Sequence, residues 1–218
     1  MREIQVEING MKTRGQQNST ILQVAQQIGI EIPTLCHSPD LSPTGACRIC
    51  VVEVEGSKTL VGACHTPIAQ GMVIHTHSPK VLAARRAVVE LLQAAHDSVC
   101  VTDPTCQRCE LHKLCSDLQV RGTGFRVRQR RSYPVEELNP YVRRDMSKCI
   151  LCWRCILACT EIAKKKVFAT AYRGYRSKVV VDWDIALTTE TCRDCGICID
   201  YCPTQALSRP LEVGTHHA

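Results

Sequence analysis

The feature that most constrains this chain is a cysteine pattern that occurs twice in its C-terminal third. The spacing is C-x2-C-x2-C-x3-C, and it returns 43 positions later: Cys149, Cys152, Cys155 and Cys159, then Cys192, Cys195, Cys198 and Cys202. Pro203 follows the last cysteine. Three thiolates on one tight loop can surround one face of an iron–sulfur cube, and a helix that begins after the third carries the fourth thiolate away. The pattern therefore predicts iron–sulfur clusters.

Bacterial two-cluster ferredoxins have this spacing and this proline. The resemblance implies that each run supplies three ligands to one 4Fe–4S cluster and its fourth cysteine to the other cluster. One cluster is then held by Cys149, Cys152, Cys155 and Cys202, and the other by Cys192, Cys195, Cys198 and Cys159. Zinc and disulfides are the alternatives. Zinc sites usually show two separated C-x2-C pairs, and disulfides require an oxidising compartment.

Composition supports metal or redox chemistry. The chain has 16 cysteines in 218 residues and begins without the apolar segment of a secretion signal. No run of 18 apolar residues is present, so we expect a cytoplasmic protein without a transmembrane segment. In a reducing cytosol this many thiols indicate metal ligands.

The chain is basic, with a formal charge of +6. Four clusters of roughly −2 each would offset that charge, so we expect no nucleic-acid partner. The densest basic run, residues 121–131, is either a docking face or a solvated loop.

The N-terminal region predicts a small α+β domain. Ile4, Val6 and Ile8 alternate with polar residues, as in a half-buried strand, and Ser19 or Thr20 can cap a short helix. Four cysteines follow with the spacing C-x10-C-x2-C-x13-C: Cys36, Cys47, Cys50 and Cys64. His37 and His65 each adjoin one of them and could replace a thiolate, as in Rieske centres. Because four cysteines already complete a ligand set, we interpret both histidines as ordinary loop residues.

Three segments of this region, IPTLC, GACRICVVEV and ACHTP with the following GM, resemble a known 2Fe–2S domain. That domain is shared by the large iron–sulfur subunit of respiratory complex I, the diaphorase iron–sulfur subunit of NAD-reducing hydrogenases and the accessory-cluster region of iron-only hydrogenases, and formate dehydrogenases contain the same module. The resemblance implies a β-grasp fold whose four cysteines, Cys36, Cys47, Cys50 and Cys64, hold a 2Fe–2S cluster.

A helix is predicted next. Ser78 and Pro79 form a typical start, and the apolar positions that share one face are Val81, Ala84, Val88, Leu91 and Ala95. The helix leads to His96, Cys100, Cys106, Cys109 and Cys115.

In the same family a small helical domain binds a 4Fe–4S cluster through H-x3-C-x2-C-x5-C. Cys106, Cys109 and Cys115 match its cysteines, but nine residues separate His96 from Cys106, and Cys100 lies between them. The fourth ligand is therefore either His96, which we favour because it ends the helix, or Cys100.

These features predict three domains and a tail: a β-grasp 2Fe–2S domain (1–78), a small helical His/Cys cubane domain (79–138), a two-cluster ferredoxin-like domain (139–209) and a tail (210–218). The 32-residue spacer between the two ferredoxin motifs predicts two short strands, with Trp183 covering a cluster edge.

The chain shows no dinucleotide fingerprint, phosphate loop or nucleophile–base pair. We therefore expect an electron relay with one 2Fe–2S and three 4Fe–4S clusters and no substrate site of its own. The first hypothesis is the iron–sulfur subunit of an NAD(P)-linked hydrogenase or formate dehydrogenase complex, a class that includes electron-bifurcating complexes. It would connect a flavin-containing NAD(P)H-oxidising subunit to a catalytic subunit or to ferredoxin. The alternatives are a free-standing polyferredoxin and a zinc-based scaffold protein.

Overall fold

A computed structural model describes residues 3–96, 109–122, 124–125, 131–188 and 192–210. The described residues within 1–95 and 110–128 form one compact unit, and the described residues within 96–109 and 129–218 form another. Cys100, Cys106, most of the basic run at 121–131 and the tail at 211–218 lie outside the described residues. The predicted three-domain division stays a prediction.

A five-stranded sheet organises the first unit. Its strands are β1 (Glu3–Ile8), β2 (Met11–Gln16), β3 (Val51–Val54), β4 (Val61–Gly62) and β5 (Met72–His75). Their order is β2-β1-β5-β3-β4; β1 and β5 run parallel, and the other neighbours are antiparallel. Asn9 and Gly10 join β1 to β2 with positive φ at both positions, the backbone that a two-residue hairpin turn requires.

The predicted first strand and helix are both present. Ile4, Val6 and Ile8 are buried on one face of β1. Helix α1 (Ile21–Gln27) packs on that face, and the Thr20 hydroxyl and the Gln23 side chain close a reciprocal N-terminal cap. Buried side chains from the sheet, α1 and the cysteine loops form one core, which consists of Ile4, Val6, Ile8, Ile21, Leu22, Val24, Ala25, Ile32, Cys50, Val52, Ala63, Cys64, Ile68 and Ile74.

Helix α2 (Pro79–Ala95) begins where Ser78 and Pro79 predict, because the Ser78 hydroxyl accepts from the Val81 amide at 3.3 Å. Its buried face differs from the prediction. Among the five expected positions only Val81 is fully buried, and Leu91 is exposed. The helix instead buries Val81, Arg85, Val89 and Ala94. Apolar periodicity alone did not indicate that an arginine would occupy this face. Helix α3 (Glu110–Asp117) follows.

The second unit contains two small two-stranded sheets. The pairs are β6 (Arg143–Arg144) with β9 (Leu207–Ser208), and β7 (Phe168–Ala171) with β8 (Lys178–Val181), both antiparallel. The second pair confirms the two strands predicted for the spacer. Helix α4 (Arg154–Leu157) continues into a π-helical turn (Ala158–Ile162), and helix α5 (Ile197–Asp200) lies in the second cysteine motif. The unit also has two 3-10 turns, Met146–Lys148 and Gly174–Arg176.

Candidate iron–sulfur sites

All 14 cysteines within the described residues are free thiols. They fall into groups that follow the sequence motifs. In the described parts of the chain, no three histidine, cysteine or carboxylate side chains converge closely enough to hold a single metal ion. The test of each group is therefore its donor set, because several thiolates around a shared space are the ligands that iron–sulfur clusters require.

The first group lies in the sheet unit. Cys36, Cys47, Cys50 and Cys64 are all buried, and the amide of Cys47 lies 3.5 Å from the sulfur of Cys36. Cys50 immediately precedes β3, and Cys64 follows β4, so the pairing of β3 with β4 brings these two cysteines together. The amide of Ala63 donates to the carbonyl of Cys50 at 3.0 Å and closes that contact.

The four sulfurs share hydrogen bonds. Bonds from Cys47 and Cys64 hold the pKa of Cys36 well below its ordinary value. A bond from Cys64 lowers the pKa of Cys50 to about 7. The same bonds raise the pKa of Cys47 and of Cys64. Iron binds the thiolate form of cysteine, so binding a cluster must release the protons that remain on these sulfurs. Four buried, mutually bonded thiols are a donor set that fits a 2Fe–2S cluster.

His65 borders this group without completing it. Its Nδ1 lies 3.5 Å from the sulfur of Cys64, and the residue is exposed. The ring packs over Gly45 and Gly62, and a Cβ at Gly62 would overlap its Cε1. His37 is partly buried beside Cys36. Neither placement tests our interpretation of the two histidines as loop residues.

The middle group is only partly described. His96 directly follows α2 and is 4% exposed, while Cys109 precedes α3 and Cys115 lies on its buried face. Cys106 and Cys100 lie outside the described residues. The choice between His96 and Cys100 as the fourth ligand therefore stays a prediction.

The second unit holds a group that combines both motifs. Cys149, Cys152, Cys155 and Cys202 line one small cavity together with Pro203. Burial, together with a negative charge on Cys202, raises the pKa of Cys149 to about 11 and that of Cys152 to about 12. Burial raises the pKa of Cys155 well above its ordinary value, and a negative charge on Cys202 also raises that pKa. The first three cysteines thus have the last cysteine of the other motif as their neighbour.

The remaining four cysteines show the reciprocal arrangement. Burial, together with negative charges on Cys192, Cys159 and Cys195, raises the pKa of Cys198 to about 12. Burial also raises the pKa of Cys192, where Lys165 acts in the opposite direction and Cys195 and Cys159 act with burial. Cys159 therefore lies among the cysteines of the second motif. Both sets of four are donor sets that fit 4Fe–4S clusters.

The two motifs have the same backbone conformation. The second residue after the first cysteine has positive φ in both, 56° at Leu151 and at Asp194. The fourth residue does so as well, at 66° for Trp153 and 62° for Gly196. Helices α4 and α5 begin directly after this fourth residue. The repeated cysteine spacing therefore corresponds to a repeated loop, with non-glycine residues held in the left-handed region at three of the four positions.

Backbone amides point at several of the sulfurs. The amide of Val167 lies 3.2 Å from the sulfur of Cys159, and those of Leu151 and Leu207 lie 3.4 Å from Cys149 and Cys202. Hydrogen bonds to cluster sulfurs are among the means by which a protein sets a reduction potential.

Three buried polar residues beside these groups were missed by the sequence analysis. Arg85 contacts the Cys47–Cys50 loop, Asn139 contacts Cys192, and Arg144 pairs with Glu136 at 2.8 Å just ahead of the first ferredoxin motif. None carries a motif, and Arg85 and Asn139 reach their partners from a distant part of the chain. Trp183 was expected to cover a cluster edge, and that expectation is wrong, because the residue is 94% exposed.

No helix within the described residues is long and apolar enough to cross a bilayer.

Comparison with known protein families agrees with these sites. Residues 1–79 match the family model of the 2Fe-2S iron-sulfur cluster binding domain. Residues 139–208 match that of the NADH-quinone oxidoreductase subunit 3 ferredoxin-like domain. The chain is therefore an iron–sulfur protein with a 2Fe–2S domain and a 4Fe–4S ferredoxin-like domain of mixed α/β structure.

Two individual relatives are subunits of NAD(P)-linked oxidoreductases. The NADP-reducing hydrogenase subunit HndD of Solidesulfovibrio fructosivorans is 35% identical over 95% of this chain. The mitochondrial NADH-ubiquinone oxidoreductase 78 kDa subunit of Candida albicans is 31% identical, also over 95%. The chain spans 36% and 29% of their respective lengths. The predicted resemblance to complex I and hydrogenase iron–sulfur subunits is confirmed.

A solved structure shares the fold. A chain of an NAD+-reducing [NiFe]-hydrogenase, solved in the H2-reduced state, superimposes with a TM-score of 0.76 at 24% identity. The match covers 89% of this chain and 85% of that chain.

Proposed function

We propose that this chain is the electron-relay iron–sulfur subunit of an NAD(P)-linked oxidoreductase complex, of the hydrogenase or formate dehydrogenase type. It passes single electrons between a flavin-containing NAD(P)H-oxidising subunit and a catalytic subunit. The observation that carries the proposal is the grouping of buried and half-buried free thiols into three separate sets of four within the described residues, each with the donor chemistry of one cluster.

The proposed ligand sets follow these groups. The 2Fe–2S cluster is held by Cys36, Cys47, Cys50 and Cys64, in a domain of β-grasp fold spanning residues 1–78. The two ferredoxin clusters are held by Cys149, Cys152, Cys155 and Cys202, and by Cys192, Cys195, Cys198 and Cys159, in residues 139–209. The third 4Fe–4S cluster is held by His96 (or Cys100), Cys106, Cys109 and Cys115, in residues 79–138. The resemblance to known domains supports the domain names. The mutual proximity of the four cysteines in each set supports the 2Fe–2S set and the two ferredoxin sets.

When bound, the clusters supply one-electron chemistry, and the chain's own residues tune it. The cysteines of each set would hold the iron as thiolates, and the surrounding core would limit the access of water. The amides of Val167 and Leu207 donate toward ligand sulfurs and stabilise negative charge there. Thiols in such numbers persist in a reducing compartment, and we propose the cytoplasm.

A surface on the second unit suits a partner subunit. Trp183, Tyr172 and Ile185 are exposed, and the Tyr172 hydroxyl donates to Asp184, the residue between Trp183 and Ile185, at 2.9 Å. Arg173 and Arg176 line a shallow pocket with Tyr172. We call these five residues, Tyr172, Arg173, Arg176, Trp183 and Ile185, the Trp183 surface. Exposed aromatic side chains with flanking arginines are typical of protein interfaces. We propose that a partner subunit with an apolar, acid-rimmed face covers it.

The test is an anaerobic pull-down of the native protein from its source, with iron analysis and identification of every co-purifying subunit. We expect about 14 irons per chain, from one two-iron and three four-iron clusters, together with a flavin-bearing subunit and a hydrogenase or formate dehydrogenase subunit. A chain that purifies alone with its iron is a free-standing polyferredoxin and refutes the complex. A chain that contains zinc and no iron refutes the relay.

A further inference from the structure

Arg85 is a buried cation on the side of α2 that faces the first cysteine group. The residue is 1% exposed. The guanidinium Nε donates to the carbonyl of Ile49 at 3.1 Å, and Nη2 donates to the carbonyl of Val51 at 2.8 Å. These two carbonyls stand on either side of Cys50. Arg85 thus holds the backbone immediately before and after one proposed cluster ligand.

The positive charge of Arg85 is not balanced by a carboxylate in the described part of the chain. Among the described residues no aspartate or glutamate lies within ion-pair distance of Arg85, although other arginines of the chain form such pairs. The contrast with Arg144 is direct: Arg144 is equally buried, but its Nη1 donates to a carboxylate oxygen of Glu136 at 2.8 Å. Burying a cation against carbonyl dipoles alone leaves most of its desolvation cost uncompensated.

Arg85 interacts electrostatically with a proposed cluster ligand, Cys50. Burial lowers the pKa of Arg85 to about 10, and a negative charge on Cys50 acts against that effect. The guanidinium therefore remains protonated at neutral pH. Its two hydrogen bonds to the carbonyls of Ile49 and Val51 hold a full positive charge beside the Cys50 end of this cysteine group.

We propose that Arg85 is the internal counter-ion of the 2Fe–2S site, a positioning residue that raises the reduction potential of that site. The inference rests on the proposed function, because it requires a cluster held by Cys36, Cys47, Cys50 and Cys64. With four thiolates an oxidised 2Fe–2S cluster carries −2, and one added electron makes it −3. The electron comes from a reduced flavin in the complex, or from dithionite in a titration. A fixed, desolvated cation stabilises the more negative state more strongly, so reduction becomes easier.

The test compares three substitutions of Arg85 in the full-length holo-protein. Arg85→Gln removes the charge and keeps a hydrogen-bond donor. Arg85→Met removes the charge with an apolar chain that buried sites tolerate. Arg85→Lys keeps the positive charge but cannot make both guanidinium hydrogen bonds to the Ile49 and Val51 carbonyls. Arg86→Gln is the matched control, since Arg86 is the next residue of the same helix, is exposed, and donates to the Leu118 carbonyl at 3.2 Å.

The measurement is an anaerobic redox titration of the two-iron EPR signal. Relative to wild type, Arg85→Gln and Arg85→Met are expected to weaken the one-electron reduction equilibrium about tenfold or more, which is about 59 mV per factor of ten. Arg85→Lys and Arg86→Gln are expected to stay close to wild type. Equal potentials in all four variants would overturn the inference while leaving the cluster, and so the proposed function, intact.

Loss of the cluster is also informative. If Gln and Met variants fold but do not retain the two-iron signal, while the Lys variant retains it, the charge is required and the inference stands. If all three Arg85 variants lose the two-iron signal, the pair of guanidinium hydrogen bonds to the Ile49 and Val51 carbonyls is the required feature, and the counter-ion role is refuted. If the wild-type chain shows no two-iron signal, the proposed function itself fails.

Discussion

The side-chain amide nitrogen of Asn139 lies 2.9 Å from the carbonyl oxygen of Cys192, 53 positions later in the chain. The same nitrogen donates to the carbonyl of Thr188 at 2.9 Å. The Asn139 Oδ1 accepts from the amides of Tyr141 and Val142. Both ends of a fully buried amide are thus used to fix the start of the second cysteine motif.

Asn139→Asp should destabilise this motif, because a carboxylate oxygen would face two carbonyl oxygens in place of a donor. We expect a loss of about 3 kcal/mol in stability, as for a buried charge left without partners, and easier loss of iron from one four-iron cluster. Thermal bleaching of cluster absorbance measures both. Asn18→Asp, in an exposed turn of the sheet unit, is the control. Equal bleaching temperatures for the two variants would contradict the assigned role of Asn139.

The exchange of the fourth ligand between the two ferredoxin motifs can be tested by spectroscopy. Cys202→Ala should alter the same reduced EPR signal as Cys149→Ala, because Cys202 lies beside Cys149, Cys152 and Cys155. Cys159→Ala should alter the signal that Cys192→Ala alters. Each variant should lose about four irons. If Cys202→Ala instead matched Cys192→Ala, each motif would hold its own cluster.

The fourth ligand of the middle cluster is open to a direct comparison. His96 is buried at the end of α2, so we expect His96→Ala to remove about four irons and Cys100→Ala to leave iron content and potential unchanged. An imidazole in place of a thiolate makes the cluster one unit less negative, which raises its potential. His96→Cys should therefore lower the midpoint if it retains the cluster. Iron loss in Cys100→Ala alone would assign the site to Cys100.

Gly15 of β2 has no room for a side chain. A Cβ there would lie 2.5 Å from Val24 Cγ2 of α1 and 2.8 Å from Ile68 Cδ1. Gly15→Ala should cost about 1–3 kcal/mol through overpacking of the helix–sheet core. Denaturant unfolding followed by two-iron absorbance measures it. Gly122→Ala is the control, since nothing lies within 4 Å of its added Cβ, and a Gly15→Ala variant as stable as that control would contradict the predicted overpacking.

Trp183 should matter for assembly and not for folding. The residue is 94% exposed, so Trp183→Ala should change stability by no more than about 0.5 kcal/mol. It should nevertheless weaken co-purification of the partner subunit, because an exposed tryptophan that becomes buried at an interface is a typical hot spot. Leu138→Ala, at another exposed apolar residue of the same unit, is the control. Unchanged co-purification of the partner subunit would show that the Trp183 surface is not its binding site.

Much of the local structure follows from short patterns in the chain. The alternation at Ile4, Val6 and Ile8 predicted a strand, and the residue types at Thr20 and Ser78–Pro79 predicted helix starts that the structure contains. The repeated cysteine spacing predicted two equivalent cluster loops, and both motifs have left-handed residues at the same offsets. These features depend on the conformational preferences of residues only a few positions apart, so the sequence is sufficient to predict them.

Tertiary structure decided the rest. Helical periodicity placed Leu91 inside and gave no reason to bury Arg85, yet the helix turns its arginine toward the Cys47–Cys50 loop. Likewise Asn139 has no motif, and Trp183, which was expected to cover a cluster edge, is exposed to solvent. The sequence by itself determined the loops, caps and ligand types, because these depend on nearby residues. The partners of Arg85, Asn139 and Trp183 depend on which distant surfaces pack against them, and only the folded chain specifies those.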